Sequence, residues 1–143
     1  MITPELIFNI GNLAILPAWV LMLFAPHWKY TKLLAESHIA IVLVAFLYAC
    51  IALTFLGTIA EADFMTLKGI KNLFLSAGKN DYFVAAAWFH YLAFDLAVGT
   101  FIYTEAQKRQ IPHGFVIPCL LFTFMLGPVG FLLFYILKNW YKR

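Results

Sequence analysis

Two side chains capable of proton chemistry sit where a hydrophobic sequence should not have them. Asp95 lies near the centre of an apolar stretch, residues 82–104, and His90 precedes it by five positions. A carboxylate at the middle of a lipid-length helix costs about 2.5–3.5 kcal/mol on insertion scales, so it is expected to turn inward, onto a partner or a ligand. A carboxyl and an imidazole in an apolar pocket are general acid–base equipment, suited to a hydrophobic substrate carrying one or two polar groups. On an ideal helix the two are about 140° apart in projection and about 7.5 Å apart along the axis. They therefore face different neighbours, or flank one cavity from its two edges. Tyr91 is four residues before Asp95 and shares its face. Asn9 and Asn12, three apart in the first apolar stretch, supply amides that in membrane helices find cross-helix hydrogen bonds. Trp88, Phe89, Phe94 and Phe101 are rings that could line an apolar groove.

The elements that must hold these residues are helices in a bilayer. Of the 143 residues 64% are hydrophobic and only 12% charged, where soluble domains carry about 25% charged residues. Four stretches, residues 6–25, 39–58, 82–104 and 114–137, are long enough to span a hydrocarbon layer, which takes about 20 residues. The first, second and fourth hold no charge at all. The fold expected is an all-α membrane protein, one integral domain over residues 1–143 with four transmembrane helices. The first span has no basic leader and runs on without a small-residue cleavage site, so it reads as a helix of the mature protein.

Between spans two and three, Phe64, Leu67, Ile70, Leu73 and Phe74 recur at helical spacing while Lys68, Lys71 and Asn72 fall on other faces. This predicts a short amphipathic helix over residues 61–76, lying in the interface. Pro17, Pro118 and Pro128 fall inside spans, and Gly127-Pro128-Val129-Gly130 makes the fourth the least regular. An even number of spans puts both termini on one side, and a small excess of Lys and Arg there directs them to the cytoplasm. Cys50 and Cys119 lack a CxxC pattern and read as small buried residues.

The sequence has no nucleophile motif, no Gly-rich phosphate loop and no HExxH-type metal spacing. A haem or metal site would need a second histidine at matching depth, and His38 falls at a helix end. No cofactor and no metal are therefore expected. The net charge of +3 is spread over loop ends, which points to lipid headgroups and not to nucleic acid. The expected partners are a hydrophobic small molecule and membrane lipid, with self-association left open.

The polar positions and prolines, in order, resemble the abscisic-acid-deficient-four family of small membrane proteins. The matching pieces are Asn12-x-x-x-Leu16-Pro17, Leu21-Met22-x-x-Ala25-Pro26, Thr31-Lys32 and Glu36-Ser37. They continue with Ala87-Trp88-x-His90-x-Leu92-x-x-Asp95-Leu96, Leu120-Leu121 and Gly127-Pro128-x-Gly130. The most specific is Trp-x-His-x-x-x-x-Asp. The resemblance implies a four-helix membrane protein linked to converting violaxanthin into neoxanthin. In that redox-neutral step an epoxide opens to a tertiary alcohol and a polyene carbon loses a proton to give an allene. By resemblance Asp95 would be the acid, His90 the base or substrate positioner, and Asn12 a polar support. Tyr91, Trp88 and Asn9 complete the expected substrate-binding set. Since the chain opens directly on its first span, the reading is a bacterial or cyanobacterial member in an inner or thylakoid-type membrane. The alternative is a non-catalytic membrane module that binds a carotenoid, a quinone or a partner protein.

Overall fold

The computed structural model describes residues 3–141, and among them every regular element is helical. α1 (Pro4–Phe24) starts with Pro4 in its first turn and Thr3 as N-cap, the Thr3 hydroxyl accepting from the Leu6 N–H at 3.3 Å. α2 (Lys29–Ser37) ends at His38, whose left-handed backbone (φ 54°) breaks it from α3 (Ile39–Ala52). A 3-10 turn, Leu53–Phe55, leads into α4 (Leu56–Ala60). The Thr54 hydroxyl donates to the Ile51 carbonyl at 2.7 Å there, a back-bond that bends helices. α5 covers Leu67–Ala77 and α6 Asp81–Lys108.

α6 is the axle of the molecule. Its buried residues include Ala85, Phe89, Leu92, Leu96, Gly99 and Ile102, and it packs against α1, α3, α7 and α8. Lipid tails are as apolar as leucine, so close fit holds such helices together rather than escape from water. Gly11 of α1 receives the ring of Phe89, and Gly99 of α6 receives Trp19; a methyl at either glycine would collide with that ring. These pairings make α1 and α6 run in the same direction. α3 runs against α6, with Tyr48 beside His90 and Phe55 beside Phe83.

α7 (His113–Leu126) and α8 (Pro128–Trp140) replace the expected fourth span, residues 114–137. α7 starts level with the end of α1, where the His113 ring lies 2.9 Å from the Leu23 carbonyl. At Gly127 the backbone takes φ +24°, beside Asp95 at the middle of α6, and the chain turns back. Gly130 of α8 sits so tightly on α7 that a methyl would overlap the Thr123 amide and the Cys119 carbonyl. Farther along, Phe131 and Phe134 pack on Phe101 of α6, and Lys138 reaches the same ring. The pair is thus a hairpin that dips halfway along α6 and returns to the end it came from. With 14 and 13 residues, each arm is about 20 Å long, short of the ~30 Å hydrocarbon layer. Non-helical backbone at that depth is tolerated where protein covers it, as Asp95 and Tyr91 do here.

The expectation of four crossings is corrected accordingly. Three helical stretches are long and apolar enough to cross a membrane: Pro4–Phe24, Lys29–Ala60 and Asp81–Lys108. Thr3 and Tyr141 therefore lie at opposite ends of the bundle, not on one side. Single cysteines at these two positions, in a background without Cys50 and Cys119, should react with an impermeant maleimide from opposite sides of sealed vesicles. Labelling from one side only would restore the four-span topology.

The amphipathic helix is shorter than expected and starts at Leu67, not residue 61. Asp63 accepts from the Met65 N–H at 2.8 Å and from the Thr66 hydroxyl at 2.6 Å, while Thr66 caps Gly69 at 3.0 Å. Those bonds hold Asp63 below the usual carboxylate range, the Thr66 hydroxyl contributing most, and they commit residues 63–66 to a turn. Cys119 is buried as expected, but Cys50 is exposed on the outer face.

Candidate functional site

The structure divides the expected site residues between faces of α6. His90 lines a cavity of about 300 Å³ between α3, α4, α5 and α6, whose walls include Tyr48, Phe55, Phe64, Phe74 and Phe83. The His90 ring packs edge-on against Tyr48, centroids 5.2 Å apart, and lies tilted against Phe94 at 4.8 Å. Among the described residues neither the ring nitrogens of His90 nor the hydroxyl of Tyr48 has a hydrogen-bond partner. The cavity is therefore an apolar chamber open on its outer side, where His90, Phe64 and Phe74 are exposed, with two uncommitted polar groups side by side, the pattern by which small-molecule sites fix one oxygenated end of an apolar ligand.

Asp95 is turned away from this cavity. It is 7% exposed, beside Gly127 at the tip of the α7–α8 hairpin, with Tyr91 one helical turn before it on the same face of α6. The Tyr91 hydroxyl donates to the Met125 carbonyl at 3.0 Å, in the last turn of α7. One carboxyl oxygen, Oδ2, is buried with no partner among the described residues, a costly state for any polar atom. The carboxyl stands at the turn that precedes the N-terminus of α8, where the helix dipole favours an acid. Its neighbours make Asp95 the clasp between α6 and the hairpin.

Four of the six expected residues form one row on this second side. The Trp88 indole N–H donates to Asn12 Oδ1 at 2.9 Å. Trp88 stacks on Tyr91 with centroids 5.5 Å apart, and Tyr91 adjoins Asp95. Asn12 thus reaches α6 as expected, and its own amide donates to the Phe8 carbonyl at 2.9 Å. Asn9 does not join them; it lines a separate groove with Glu5 and Asp81. Among the described residues no three or more His, Cys, Asp or Glu side chains converge to hold a metal ion.

Sequence reasoning passed over two sets of residues. Tyr48 carried no signal, being one aromatic residue in a charge-free span. His113, Thr31 and Tyr103 bond the carbonyls left open where α1 ends. His113 meets Leu23, while the hydroxyls of Thr31 and Tyr103 donate to Ala25 at 2.6 Å and Pro26 at 2.7 Å. The unpaired carbonyls after a helix end and a proline were the available signal.

Comparison with known proteins bears on this arrangement. Residues 6–134 match the family model described as ABA DEFICIENT 4-like. The chain belongs to the ABA DEFICIENT 4-like family. The matched region includes both walls of the His90 cavity and the hairpin turn, so neither is an appendage to the family's fold. A relative within it, Protein ABA DEFICIENT 4, chloroplastic, of Arabidopsis thaliana, is 29% identical over 150 residues, covering 95% of this chain. The chain spans 64% of that relative's length. No solved structure matches the chain.

Proposed function

We propose that this ABA DEFICIENT 4-like chain is a membrane protein that takes the oxygenated end group of a carotenoid, or a related isoprenoid, into the His90 cavity and rearranges it without net oxidation or reduction. The observation that carries the reading is the apolar chamber of about 300 Å³ in which His90 and Tyr48 are both uncommitted. A terpenoid ring suits the aromatic walls, and the polyene would trail toward lipid along exposed side chains of α3 and α6.

For an isomerisation of neoxanthin synthase type the atoms balance within the substrate. The epoxide C–O bond breaks and its oxygen gains a proton, while a polyene carbon gives up a proton and its electrons form the allene. His90 is the base for the carbon-bound proton, and its imidazolium can return that proton to the oxygen, which Tyr48 holds by a hydrogen bond. Asp95, expected as the acid from its central position and from the resemblance, becomes a positioning residue that fixes the hairpin. Trp88, Tyr91 and Asn12 hold α1 and the hairpin tip to α6. Binding without turnover is the second reading. It is favoured by the placement of Asp95 and His90 on different sides of α6, which leaves one expected acid–base partner outside the cavity.

Ala87 lines the cavity next to His90. Ala87→Trp should fill it, and protein purified from a carotenoid-producing host should then retain at least about tenfold less pigment than wild type, the scale of 1.4 kcal/mol in affinity. Equal pigment on both proteins would place the ligand elsewhere.

A further inference from the structure

The end of the bundle that holds α2 has a second cavity, about 460 Å³, between α2 and the last turns of α6. Its walls include His27, Trp28, Lys29, Lys32, Gln107 and Lys108, with Glu36 the one acid among its lining residues. The acceptors around it are already used. The Ala25 and Pro26 carbonyls take the Thr31 and Tyr103 hydroxyls. The donors are not. Among the described residues Lys108 has no ion pair and Gln107 no side-chain hydrogen bond, while Lys29 rests 5.0 Å over the Tyr30 ring. Glu36 meets Lys32 only loosely, at 3.8 Å with both side chains exposed, a pairing worth little in water. Neighbouring Glu105 is taken by Arg109 at 2.6 Å.

Charge across the molecule is asymmetric in the same sense. The α2 end carries Lys29, Lys32, Lys108, Arg109 and Lys138 against Glu36 and Glu105. The α5 end carries Lys68, Lys71 and Lys79 against Glu5, Glu61, Asp63 and Asp81. The return of the hairpin widens this difference, because it brings Lys138 to the α2 end. Trp28 and Tyr30, about half exposed and packed edge-on at 4.8 Å, mark headgroup level on the cavity's rim.

We propose that this cavity binds a phosphate-type anion, borne by the headgroup of an acidic lipid or by free phosphate. Lys29 and Lys32 approach from α2 and Lys108 from α6, so one tetrahedral anion meets ammonium groups from two walls, with the Gln107 amide as a further donor. A cavity of this kind between helices on the basic side of a membrane protein suits an anionic headgroup.

The test is native mass spectrometry of the full chain released from vesicles of equal phosphatidylglycerol and phosphatidylcholine, and separately after incubation with inorganic phosphate alone. Wild type should retain phosphatidylglycerol over phosphatidylcholine. The combined variant Lys29→Gln, Lys32→Gln, Lys108→Gln should lose that preference by about fivefold per lysine at low salt. Lys68→Gln, Lys71→Gln, Lys79→Gln, at the other end, should leave it unchanged. Retention of inorganic phosphate that displaces the lipid would identify free phosphate as the ligand; lipid retained against phosphate would identify the headgroup. Glu36→Gln, which removes the cavity's one acid and preserves size, should strengthen retention and reads the site even if the triple variant fails to fold. Unchanged preference in the triple variant, equal losses at both ends, or weaker retention in Glu36→Gln would overturn the proposal.

Discussion

His90→Gln should lower product formation by about 10²–10⁴, the range for losing a proton-transfer residue, while the fold and the bound pigment are retained. The exposed position of the ring on the cavity wall makes this substitution mild structurally. Gln fills a similar volume and keeps a hydrogen-bonding end, but cannot take a proton from carbon. The informative partner is Asp95→Asn. With its carboxyl beside Gly127, not in the cavity, this variant should stay within about tenfold of wild-type turnover, or 1.4 kcal/mol. Rates measured side by side in one host separate the possibilities. A collapse of Asp95→Asn with full activity in His90→Gln would reverse the assignment and restore the carboxyl as the reacting group.

The largest effect on stability is expected at Gly130. A side chain there meets the Thr123 amide and the Cys119 carbonyl of α7, and backbone cannot step aside as a flexible side chain can. Overpacking of this kind costs about 1–3 kcal/mol, occasionally more. Gly130→Val should therefore pry α8 from α7, lower the thermal midpoint in detergent, and expose the Gly127 turn to proteolysis. Gly57→Ala is the control, because a methyl at Gly57 meets nothing within 4 Å. Equal midpoints for Gly130→Val and wild type would mean that the two arms are not packed as a hairpin.

Some of this was legible in residues and spacing, and the failures have physical causes. Charge-free runs and one central acid located the helices of the first three spans, because lipid admits few other patterns. The helical offset between positions 90 and 95 already separated their side chains, and the structure places His90 and Asp95 with different neighbours. What the sequence could not tell was whether the run from 114 to 137 crosses or turns back. Both paths are apolar throughout, and Gly127-Pro128 announces a break without its direction. The direction rests on Gly130, whose missing side chain lets α8 lie on α7, and a glycine has that meaning only once its neighbour is known. Tyr48 was equally hidden, since its value comes from facing His90 across two antiparallel helices. The start of α5 was misplaced because Asp63 and Thr66 bond locally, and hydrophobic periodicity does not register such competition.

The most direct measurement is the pigment composition of a host that accumulates violaxanthin, with and without this chain. The expected result is a new pigment of unchanged mass bearing an allene, formed with wild type and absent with Ala87→Trp, which blocks the cavity. An unchanged pigment profile from well-expressed wild-type protein, together with no pigment on the purified chain, would contradict both turnover and binding at the His90 cavity.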